Sequence, residues 1–108
     1  METIDKIQNE LKSGELNLNP RLCNEYIGIL AGEMSFYIAQ SSEIEKNRPH
    51  TWLTMRQEHN SDTATDRSWE RTEDGVNLNW YNSRIKRIKS LITGLKALVK
   101  NAENEHNF

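Results

Sequence analysis

From Leu78 to Val99 the chain repeats apolar residues at alternating steps of three and four: Leu78, Tyr81, Ile85, Ile88, Ile92, Leu95 and Val99. That spacing draws a seam along one side of an α-helix, and Leu91 and Leu98 widen it. The other side carries Arg84, Lys86, Arg87, Lys89, Lys96 and Lys100, uninterrupted by any acid. A stripe this long must be covered by something apolar. The cationic side attracts something anionic.

A second seam answers the first need. Asn19-Pro20 is a strong helix start, an Asn N-cap followed by Pro at the first helical position. From there to about Asn47, Cys23, Ile27, Leu30, Met34, Tyr37, Ser41 and Ile44 follow the same alternating steps. Set antiparallel, the two seams match at one constant register: Ile44 with Leu78, Tyr37 with Ile85, Met34 with Ile88, Leu30 with Ile92, Ile27 with Leu95, Cys23 with Val99. The same register sets Gly28 opposite Gly94 and Gly32 opposite Ser90, and brings the tip to Ser61-Asp62, which reads independently as a turn and helix cap. Arg48 falls near Asp74, Thr51 near Arg71 and Met55 near Arg67.

The expected fold is therefore all-α: a long antiparallel helical hairpin, coiled-coil-like at its base, with a short N-terminal helix. Thr3 to Ser13 reads as that helix, with Thr3 as N-cap, Ile4, Ile7 and Leu11 as a narrow apolar line and Gly14 as the stop. Residues 3–18 hold this helix and a crossover, 20–60 the first arm, 62–102 the second arm and 103–108 a frayed tail. Together they make one domain over 1–108. Pro49 either ends the first arm or kinks it. Gly75 reads as an interior glycine, because the seam continues past it. Leu22, Tyr26, Ile29, Phe36 and Ile38 lie outside the α-helical seam, so the first arm has more than one neighbour.

Charged residues are 28% of the chain and hydrophobic ones 35%, a lean supply for a 108-residue core, so oligomerisation is expected to add to it. Net charge is −2, yet residues 1–45 are acidic and the last helix basic. A lone Cys23 excludes an internal disulfide and points to a reducing compartment. With no signal-like run and no membrane-length apolar window, a cytoplasmic protein with no membrane partner is expected.

No phosphate-loop, dinucleotide, zinc-protease or paired-cysteine motif is present, so neither an enzyme nor a cofactor or metal is expected. Cys23 sits in the seam as a small hydrophobe. His59, Asp62 and Asp66 straddle the turn at helix-like spacing, as solvated tip residues. Glu70, Glu73 and Asp74 interleave with Arg67 and Arg71 as surface ion pairs. The three tryptophans fill a loosely held tip or act as exposed platforms. Trp80 stands beside Arg84, Lys86, Arg87 and Lys89, the grouping by which single-stranded nucleic acid is held: bases stack on aromatics and phosphates meet cations. Trp52 with Arg56, and Trp69 with Arg71, form a second candidate surface at the tip.

The segment SDTATDRSWERTEDG, followed by a helix rich in Ile, Leu, Lys and Arg, resembles small proteins encoded by tailed bacteriophages. The run of helices and charges, over about two thirds of the chain, is similar to the recombination mediator family of T-even phages. That resemblance implies a helical homo-oligomer that binds single-stranded DNA and helps load a recombinase, with Arg84, Lys86, Arg87 and Lys89 meeting the DNA. The expected function is a non-enzymatic, self-associating, single-stranded DNA-binding accessory of recombination or replication in a bacterial host. The alternative is an inhibitor or adaptor that docks on a host or phage protein through Trp52, Arg56, Trp69 and Arg71 at the tip.

Overall fold

A computed structural model describes residues 2–106 of the chain. Four helices follow one another: α1 (Thr3–Ser13), α2 (Pro20–Arg56), α3 (Asp62–Glu70) and α4 (Glu73–His106). The fold is an all-α helical hairpin built on the long pair α2 and α4.

The helix limits follow local chemistry. Glu2 rather than Thr3 occupies the N-cap of α1, and Gly14 ends that helix with φ 81°, a left-handed conformation that suits glycine. Asn19 caps α2, its Oδ1 accepting from the Leu22 amide at 3.2 Å. Pro49 neither ends nor restarts α2, which runs unbroken from Pro20 to Arg56. Proline removes one helical hydrogen bond, but side chains on both sides of it are tied to α3. Arg48 lies over the Trp69 ring at 4.3 Å, and Trp52 Nε1 donates to Asp66 at 2.7 Å. Ser61 caps α3, its Oγ accepting from the Ala64 amide at 3.1 Å.

The second arm is not one helix. It breaks at Arg71-Thr72, between α3 and α4. Thr72 makes the corner: its hydroxyl donates to the Trp69 carbonyl at 2.5 Å and accepts from the Gly75 amide at 3.1 Å. Glu73 and Asp74 then occupy the first turn of α4, where acids favour a helix start. Gly75 is required here rather than tolerated. A Cβ on it would stand 2.3 Å from the Trp69 carbonyl oxygen and 2.7 Å from Glu70 Cα. At the other end, α4 continues to His106, so residues 103–106 are helical instead of frayed, while 107 and 108 lie outside the described residues.

The chain divides into two compact units. The first takes the residues to Ser35 with those from Lys86 on. Its core is aliphatic: Ile4, Ile7, Leu16, Cys23, Leu30, Ile88 and Leu95 are at most 1% exposed. The second takes Phe36–Ile85. There Trp69 and Thr65 are buried along with Leu78 and Ser41. Every residue of both seams is buried or half-buried.

The small-residue layer expected between the arms does not form. A Cβ on Gly94 would meet Leu11 of α1 at 3.1 Å, so Gly94 admits α1. Among the described residues, nothing lies within 4 Å of such a Cβ on Gly28 or Gly32. At about 100° per residue they lie on the far side of α2 from its seam.

Candidate nucleic-acid interface

The five residues singled out on α4 do not share one face. Successive residues turn by about 100°, which puts Trp80, Arg84 and Arg87 on one side of the helix and Lys86 and Lys89 on the opposite side. The two groups have different roles.

Trp80 and Arg84 belong to an aromatic cluster in the second unit. Tyr37 stands edge-on to Phe36 and to Trp80, both at 5.6 Å between ring centres. Tyr81 lies 5.9 Å from Tyr37 and 5.3 Å from Trp80. The Arg84 guanidinium covers Trp80 at 4.5 Å and Tyr37 at 5.1 Å. Cation–π stacking of this kind holds the cation against the cluster. Trp80 remains 48% exposed. Sequence reading missed Tyr37 as a partner of Trp80, although the register had set Tyr37 opposite Ile85, little more than one turn from Trp80.

Arg87 is committed inside the first unit. It donates to Asp5 and Gln8 of α1, the Nε–Gln8 bond being 3.1 Å. Its charge is thus largely matched by Asp5.

Lys86 and Lys89 are exposed, and the same side of α4 continues with Lys96 and Lys100, also exposed. All four fall within an arc of about 80° and span about 21 Å of helix. No acidic residue occurs between Gly75 and Ala102. Sequence reading placed Lys96 and Lys100 on the basic side but left them out of the site. Helical phase, not proximity in sequence, is the signal that groups them with Lys86 and Lys89.

The tip residues are largely engaged with each other. Trp69 is 2% exposed under Arg48 and offers no face to a partner, a correction to its expected role as a docking residue. Arg56 Nε donates to Asp62 at 2.8 Å and its Nη1 to the His59 carbonyl at 2.7 Å. Trp52 is half-buried and bonded to Asp66. These contacts occupy the two acids that, with His59, had helix-like spacing. Arg71 is exposed at the corner after α3. The observed contacts are Arg48–Trp69 and Trp52–Asp66, about one turn from the register extrapolated past residue 48, because the arm breaks at Thr72. An open cavity of about 400 Å³ remains, lined by Arg48, Pro49, Trp52, Leu53 and Asp66.

Two other groups are structural. The Cys23 thiol is buried, donates to the Leu16 carbonyl at 3.6 Å and is pushed up in pKa by burial, which makes it a poor nucleophile. The Tyr26 hydroxyl donates to Glu10 at 2.5 Å, and that bond, with burial and nearby carboxylates, pushes its pKa up to about 12.

Among the described residues no helix is long and apolar enough to cross a membrane. Comparison with protein-family models, with curated proteins and with solved structures finds no match to the chain.

Proposed function

We propose that this chain is a non-enzymatic accessory protein that self-associates and binds single-stranded DNA, in the manner of a phage recombination or replication mediator. The observation that supports it is the exposed row Lys86, Lys89, Lys96 and Lys100 on a helix with no acid from Gly75 to Ala102. A row of ammonium groups about 21 Å long matches the phosphates of a short run of single strand. The contact is to the backbone, so it carries no sequence preference. Trp80, on the opposite side of the helix, is not part of that row.

Fluorescence anisotropy with a labelled oligonucleotide tests this. With four phosphates neutralised, log affinity falls against log salt with a slope of about −3. Replacing Lys89 and Lys96 by Glu removes most binding and flattens the slope. Binding that is indifferent to salt, or unchanged in that variant, rules the reading out.

The cavity lined by Pro49, Trp52 and Leu53 favours a second reading, an adaptor that receives an apolar side chain of a partner protein at the tip. Leu53 is 61% exposed beside it. In that case Leu53→Glu abolishes partner capture and leaves DNA binding as it was.

A further inference from the structure

The outer side of α2 is the most unusual surface of the protein. It lies diametrically opposite the seam, yet it carries Ile29, 47% exposed, and Phe36, 57% exposed. Between and beside them are Gly28 and Gly32. Glycine is a poor residue in a helix interior. Nothing among the described residues calls for it here, since a Cβ at either position meets none of their atoms within 4 Å. Gly75 and Gly94, by contrast, are each explained by a close neighbour.

We infer that this face is the contact between two copies of the chain, with the α2 helices antiparallel about a two-fold axis at Gly32. The inference rests on the self-association in the proposed function and names its surface. A two-fold axis there fixes every pairing by helical position. Gly32 meets Gly32, so the two backbones approach closely. Phe36 of each copy meets Gly28 of the other, a large side chain over a bare backbone. Ile29 meets Ser35, and Glu25 meets Ala39. At each end Arg21 meets Glu43, opposite charges on exposed side chains. Arg21, Glu25, Gly28, Phe36, Ala39 and Glu43 all fall within about 40° of Gly32 around the helix. Size and charge therefore complement each other only in this orientation. A parallel pair would set Phe36 against Phe36 and Glu43 against Glu43. The lysine row is on a different helix and takes no part in these pairings.

Sedimentation velocity on the full chain and its charge variants tests the inference. The unaltered protein sediments as a dimer or a multiple of it. Arg21→Glu sets two acids together at each end and weakens association at least tenfold, as Glu43→Arg does by setting two cations together. The double variant, with both changes, restores it. Phe36→Glu and Gly32→Leu give monomers, and circular dichroism checks that both stay helical. An unaltered protein that remains monomeric at 200 µM (a concentration on the order of −5 kcal/mol of association) overturns the proposal. So does self-association that the single charge reversals leave unchanged. The DNA reading is separated by titrating Phe36→Glu with oligonucleotide. Salt-dependent binding by that monomer leaves the lysine row standing whatever becomes of the dimer. A dimer that binds no DNA keeps this face and removes that function.

Discussion

The two compact units are stabilised by different chemistry. In the first, aliphatic side chains at heptad spacing fill the interior. Ile4 and Ile7 of α1 join Leu30, Ile88 and Leu95, and few polar groups are buried with them. The second has a thinner interior, and two of its buried residues, Ser41 and Thr65, are polar. Stacking and directed hydrogen bonds take the place of aliphatic contact: Arg48 on Trp69, Arg84 on Trp80 and Tyr37, Trp52 on Asp66 and Arg56 on Asp62. Aliphatic packing is non-directional and scales with buried area. Stacking and hydrogen bonding demand geometry, and exposed charge pairs among them contribute little. The same helices α2 and α4 therefore serve two kinds of interior, and each is sensitive to different changes.

The largest expected effects separate the two. Trp69→Ala empties the one large side chain at the centre of the second unit and costs about 4 kcal/mol; Leu30→Ala costs about 3 kcal/mol in the first. All three tryptophans lie in the second unit, so fluorescence follows that unit while circular dichroism follows both. Urea unfolding recorded both ways should give separate transitions for Trp69→Ala, with fluorescence lost first. Leu30→Ala should reverse the order. Coincident transitions in both variants would mean that the units unfold as one.

A smaller effect belongs to pH. The Tyr26 pKa is raised to about 12 in the folded chain by its bond to Glu10, from the ordinary phenol value near 10. The bond's contribution is whole below pH 10 and is lost as pH rises toward 12. Tyr26→Phe should be less stable at pH 8 and lose that slope, with denaturation midpoints measured from pH 8 to pH 12. A slope that persists in the variant places the titrating group elsewhere.

The smallest effect compares two tryptophans in one unit. Trp52→Phe removes a donor from Asp66 and costs about 1 kcal/mol. Trp69→Phe removes an indole N–H that has no acceptor among the described residues, so it loses ring volume but none of the hydrogen bonds seen there. Its cost should fall well below that of Trp69→Ala. If Trp69→Phe is as damaging as Trp69→Ala, the unit depends on the shape of the full indole more than on its area.

Sequence alone determined much of the scaffold. Asn19-Pro20, Gly14 and Ser61-Asp62 mark helix ends through bonds made within a few residues, so they were legible without a fold. The two seams fixed which sides of α2 and α4 are covered, because apolar spacing encodes helical phase. Tertiary structure decided what depends on a third element. The break at Thr72 forms because Gly75 lets α4 start directly against the carbonyl of Trp69, a contact between two helices that no periodicity records. Gly94 receives α1, while Gly28 and Gly32 are left outside; spacing gives all three the same appearance. Arg87 was grouped with its basic neighbours by sequence and separated from them by Asp5 and Gln8, which are distant in the chain and adjacent in the fold. Local phase is written in the order of residues. Which side of a helix a distant segment covers is set by packing, and that division left the row from Lys86 to Lys100 exposed.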